Sequence, residues 1–291
     1  MRAPLFEAYI EPARLYPELW RLFLGIGVIV LIYAGVFALM LVGAYPVLGP
    51  LNYFGWMQGL TQPATPGHTL FILASFLGMG LAVLIATPAL HYREPSSLFG
   101  PFRDTIRGFF VSIAALIPVY ALLLLLGQLV TPLEPNLDPG QWLRLLPLAV
   151  ILVLVQTGSE ELLFRGYLQQ QLAARFAWRA VWMGVPALIF TALHFNPMAG
   201  GNLVFILLGV LAFALAAADL TEKSGSLGFA MGWHFINNCS SLLLVSVKGT
   251  ITGLALYVTP FDLSDTAMAP VSFGLDILLI LAMWRLLRAL I

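Results

Sequence analysis

Charge is what this chain of 291 residues has least of. Only 10% of its residues are Asp, Glu, Lys or Arg, whereas 60% are hydrophobic. A soluble domain carries about 25% charged residues, so with a mean hydropathy of +0.93 the sequence reads as a polytopic membrane protein. Its 14 basic and 14 acidic residues cancel. No basic block is present, which argues against a nucleic-acid partner. A single cysteine, Cys239, excludes an intrachain disulfide and any cysteine-based metal cluster. The first twenty residues carry Arg2, Arg14, three acids and three prolines. They do not have the form of a cleavable signal peptide, so the first apolar run is expected to stay as an anchor.

What is present in quantity is long apolar segments. Eight are long enough to be expected as membrane helices, near 22–46, 69–90, 107–130, 143–164, 180–195, 202–220, 226–247 and 271–288. The fifth is short for a full crossing. Pro46 and Gly49-Pro50, Thr131-Pro132 and Asn196-Pro197 punctuate the run. In this eight-span arrangement, twelve of the fourteen Lys and Arg residues fall on one side, leaving Arg144 and Lys248 on the other. By the positive-inside rule both termini are then cytoplasmic. The fold class expected is all-α, a polytopic bundle.

Three parts are expected along the chain. Residues 1–140 supply three N-terminal spans of unidentified role, 141–250 a helical core, and 251–291 an external loop and the last span. The 49–68 and 248–270 segments are expected as external loops, with Trp56 and Tyr257 resting at the headgroup level. Tyr92–Pro101 reads as a cytoplasmic connection. His68 and His91, at span edges, read as wet, and Asp219, Glu222 and Lys223 as a solvated helix end. Asp276 lies deep enough in the last span to be notable, yet has no sequence partner.

Against this background Glu160-Glu161-Leu-Leu-Phe-Arg165 stands out, in the same segment as the preceding apolar run 145–155. A charge near a bilayer centre costs roughly 2.5–3.5 kcal/mol on insertion scales. Glu161 and Arg165 are four apart in the favourable acid-first order, which would pair them and leave Glu160, about 100° round the helix, for other work. Snorkelling of all three to water is the bland alternative. Phe190-Thr-Ala-Leu-His194 closes the fifth segment, where a lone histidine is commonly interfacial. Trp233-His234-Phe-Ile-Asn237-Asn238 lies within the seventh, with His234 and Asn238 on one face; interhelical hydrogen-bonding is the alternative there. A carboxylate and an imidazole can deprotonate a water, and an imidazole and a carboxamide can donate to the oxyanion that results. The inventory suits amide hydrolysis.

These three stretches resemble, in order and helical placement, the EExxxR, FxxxH and HxxxN/D motifs of the CPBP family of CAAX proteases and bacteriocin-processing enzymes, which includes the Ras-converting CAAX endopeptidases. The resemblance covers roughly 145–250. It implies that Glu160 and His194 activate the water, that His234 and Asn238 form the oxyanion hole, and that Glu161 and Arg165 support the site. It further implies a cytosol-facing cavity, a peptide or lipidated protein as substrate, and membrane lipids as surroundings. A metal-independent mechanism without cofactor is the expectation. Zinc held by the two histidines and a glutamate is the alternative, although no HExxH stretch occurs. A serine mechanism fits less well. There is no GxSxG elbow, and Ser226 is roughly 12 Å along a helix from His234. A proton-coupled transporter would use the same residue types, but no internal repeat is apparent. A non-catalytic partner or immunity factor would not need the full set.

Overall fold

Lipid-facing helices keep their apolar side chains on the outside, and the computed structural model, which describes residues 3–265 and 269–291, shows this pattern throughout. A short helix α1 (Pro4–Ile10) precedes the long α2 (Leu19–Leu48). Gly49, at φ 74°, ends α2, and Pro50 starts α3 (Pro50–Gly59), using the fixed φ that proline brings to a first helical turn. Next come α4 (Pro66–His91), capped by the Thr65 side chain, and α5 (Phe102–Val130). Helix α6 (Pro139–Glu161), capped by Asp138, runs through a π-helical stretch, Leu162–Gln169, into α7 (Gln170–Arg175). The remaining helices are α8 (Val185–Ala192), α9 (Leu203–Ser224), α10 (Gly228–Cys239) and α11 (Ala269–Ala289).

Five helical stretches among the described residues are long and apolar enough to cross a membrane: Leu19–Leu48, Pro66–His91, Phe102–Val130, Pro139–Arg175 and Pro197–Ser224. The other three expected segments are helical too. The fifth is the shorter Ala180–Ala192, the seventh is α10 extended by a π-turn over Ser240–Leu244, and the eighth is α11. The protein is an all-α integral membrane protein. Leu31, Leu39 and Leu129 are more than two-thirds exposed, which suits acyl chains as neighbours and would be a liability in water.

The two loops are more ordered than the sequence suggests. The 49–68 segment contains α3. Beyond α10, the chain forms β2 (Val245–Lys248) and β3 (Tyr257–Asp262), and β3 pairs antiparallel with β1 (Glu134–Pro135), giving the order β1-β3-β2. Lys248 Nζ donates to Glu134 Oε2 at 2.7 Å across this sheet. Backbone leaving a helix needs hydrogen-bond partners, and this small sheet supplies them at the end of the bundle where α5 finishes and α6 begins.

The opposite end collects arginines. Arg21 Nη1 donates to Leu90 O at 2.8 Å, Arg175 Nη2 to Tyr16 O at 3.2 Å, and Arg93 Nη2 to Ser97 Oγ at 3.0 Å and to Gln170. His91 is buried here rather than wet, because Tyr167 Oη sits 2.7 Å from its Nε2. Asp219 is not solvated either. Arg179 Nη2 reaches its Oδ1 at 2.6 Å, and Trp284 Nε1 and Arg288 Nε reach its Oδ2 at 2.8 and 2.9 Å.

One core packs α1, α2, α4, α8 and the π-stretch around Phe6, Val83, Tyr167 and Phe190. A second joins α5, α9, α10 and α11 through Leu116, Leu220, Trp233 and Met283. Gly228 and Gly232 make the α5–α10 contact possible. A Cβ on Gly228 would lie 2.2 Å from Thr105 O, and one on Gly232 would lie 2.4 Å from Phe109 O. Such small-xxx-small spacing lets two helices approach backbone to backbone, and it fixes the helix that carries His234.

Candidate active site

The acidic pair sits where α6 widens. Glu160 and Glu161 are its last two residues, and the π-stretch begins at Leu162. Wide turns of this kind are rare and concentrate at functional sites. Arg165 Nη1 donates to Glu161 Oε1 at 2.8 Å, and Nη2 donates to Ala214 O at 3.2 Å. Glu161 and Arg165 are 0% and 2% exposed, so they do not snorkel. The rings of Phe190 and Phe213 lie 4.9 and 5.8 Å from the guanidinium, adding cation–π attraction in a dry setting.

His234 joins the pair from α10. Its Nδ1 lies 2.8 Å from Glu161 Oε1 and its Nε2 3.4 Å from Glu160 Oε2. A carboxylate that already accepts from Arg165 can only accept again, so Nδ1 carries the proton. Phe213 and Phe190 hold the ring edge-on, with centroids 5.2 and 6.0 Å away. Glu160 is 9% exposed, and its Oε2 and the Oε2 of Glu161 have no hydrogen bond. The 3.4 Å approach of His234 Nε2 is therefore proximity rather than a bond.

His194 lies in the turn beyond α8, where its Nδ1 is 2.8 Å from Phe190 O. A carbonyl only accepts, so the proton is on Nδ1, and Nε2 keeps its lone pair. The ring packs on Phe190 at 4.5 Å. A cavity of about 240 Å³ is lined by His194, His234 and Asn238, with Trp233 and Phe190 beside them. Glu160 is not on this wall; it stands behind His234.

Asn238 is oriented by neighbours that sequence reasoning missed. Its Nδ2 donates to Gln156 Oε1 at 2.9 Å, and its Oδ1 accepts from Asn237 Nδ2 at 3.2 Å. Tyr120 Oη, on α5, donates in turn to Asn237 Oδ1 at 2.8 Å. Gln156 carried a readable signal, as an amide one turn before Glu160 in an apolar helix. Tyr120 carried none.

The structure thus brings Glu160, Glu161, Arg165 and His234 into direct contact, and sets His194 and Asn238 around the adjoining cavity. Among the described residues, no group of three His, Cys, Asp or Glu side chains is disposed to hold a metal ion.

Residues 142–240 match the family described as type II CAAX prenyl endopeptidase Rce1-like, and all three motifs lie inside that match. That match supports a membrane endopeptidase in general. It is also 26% identical over 267 residues to the uncharacterized protein YyaK of Bacillus subtilis (strain 168), covering 85% of each chain. No solved structure matches it.

Proposed function

We propose that this protein is an intramembrane endopeptidase that hydrolyses a peptide bond in a membrane-associated or prenylated protein or peptide precursor, near the cytoplasmic face and with both termini in the cytoplasm. The reading is carried by Glu160 Oε2, a buried acceptor without a hydrogen bond, 3.4 Å from an imidazole nitrogen. A buried unsatisfied oxygen is costly, and at this place it is an acceptor open to an incoming water.

The chemistry uses side chains alone. A water entering between Glu160 and the cavity gives a proton to Glu160, while the lone pair on His194 Nε2 holds its second hydrogen. The oxygen bonds to the substrate carbonyl carbon, and the carbonyl electrons move to oxygen. That oxyanion accepts from Asn238 Nδ2, whose second N–H is not used by Gln156, and from His234 Nε2–H. A His234 ring that donates at both nitrogens is cationic, and its charge with that of Arg165 balances Glu160 and Glu161. As the C–N bond breaks, the Glu160 proton passes to the leaving amine. One water is consumed, and Glu160 returns to its starting form. Proteomics of membranes bearing active protein or Glu160→Gln tests this. New protein termini present with the first and absent with the second support it; identical termini overturn it.

A further inference from the structure

The cavity at the imidazoles does not end there. A second hollow of about 310 Å³ shares Gly209, Val210, Asn237, Ile280 and Met283 with it, so the two form one trough between α9, α10 and α11. The far part of the trough contains Asp276. Asp276, Ile280 and Met283 stand at i, i+4 and i+7 and share one face of α11. Ile280 and Met283 touch both hollows, and Asp276 only the outer one. Among the described residues no hydrogen bond or ion pair reaches the Asp276 carboxylate. An acid in a helix of bilayer length is uncommon unless it is paired or functional, and elsewhere in the bundle Glu161 is paired with Arg165.

We infer that Asp276 is a specificity-determining residue, recognising a basic side chain of the substrate that lies along this trough. The inference rests on the endopeptidase reading of the imidazole site. From Met283 and Ile280 to Asp276 is about 6–10 Å along the helix. An extended chain advances about 3.3 Å per residue. A carbonyl held at His234 and Asn238 therefore sets a residue two or three positions away beside Asp276. Among the described residues that line the outer hollow there is no lysine, arginine or histidine, so the cation that pairs there comes from the substrate, and a lysine or arginine has the reach to do so.

The test uses the full-length protein in phosphatidylcholine vesicles with an internally quenched peptide library randomised around the cut. The readout is the ratio of kcat/KM for lysine-bearing over norleucine-bearing peptides at each position. Wild type should favour lysine two or three residues from the cut. Asp276 is exposed on the trough, so Asp276→Asn should lower that ratio about two- to fivefold, the scale of one exposed ion pair. Asp276→Glu should keep the preference, and Asp276→Lys should move it toward acidic peptides. An unchanged ratio in Asp276→Asn overturns the assignment alone, as does its equal loss of cleavage on both peptides. No wild-type cleavage above a Glu160→Gln background overturns this assignment and the endopeptidase reading together.

Discussion

Two acidic clusters lie within this bundle, and they are finished differently. At Asp219 both oxygens are occupied, by Arg179 on one side and by Trp284 and Arg288 on the other. At Glu160 and Glu161 each carboxylate keeps one buried oxygen without a hydrogen bond, although His234 stands between them. A closed network ties α9 to α11 and leaves neither oxygen without a donor. An open one holds its groups equally firmly and leaves acceptors for an incoming molecule. The difference separates polarity that holds the bundle from polarity available for chemistry, and it is visible only in the partners, because both clusters are built on carboxylates facing arginine.

The comparison can be broken most sharply at Glu160. Glu160→Gln should lower turnover by about 10²–10⁴-fold, the range for a general base, with the thermal unfolding midpoint in detergent held near wild type. Asn238→Ala should cost about 10²–10³-fold in kcat, as for an oxyanion donor. An effect confined to KM would remove it from that role. Arg165→Leu leaves the buried Glu161 charge with His234 as its one remaining partner, and should destabilise the fold by about 3 kcal/mol, read as a lower unfolding midpoint before any activity is assayed. Gln156→Leu takes away the acceptor that aims Asn238, so kcat should fall about tenfold with KM unchanged, the scale of one hydrogen bond. Asp219→Asn closes the series. Its arginine partners are half exposed, so each bridge contributes at most about 1 kcal/mol, and turnover should stay at the wild-type level. A large loss of turnover there would erase the distinction between the clusters.

The helices were legible because each is an apolar run bounded by proline or glycine, a pattern that length and composition reveal. The Glu161–Arg165 pair was legible for a similar reason, since four-residue spacing acts within one helix. Contacts made across the sequence were not. Glu134 pairs with Val258 over more than a hundred positions, and a two-residue strand has no periodicity to detect. His91 and Asp219 looked solvated because they sit near span ends. Their burial comes from Tyr167 in one case and from Arg179, Trp284 and Arg288 in the other. His234 contacting both acids was also hidden, because the motifs name residues without giving the rotation of α10 against α6.

That rotation is locked by Gly228 and Gly232. With no side chain between them and the carbonyls of Thr105 and Phe109, α5 and α10 move as a single strut, and prying them apart would forfeit that close fit along its whole length. The hollow at the buried imidazole lies on the other flank, toward α9 and α11, with His194 in the turn after α8. Adding bulk at either glycine should thus misplace the reactive groups without narrowing that hollow.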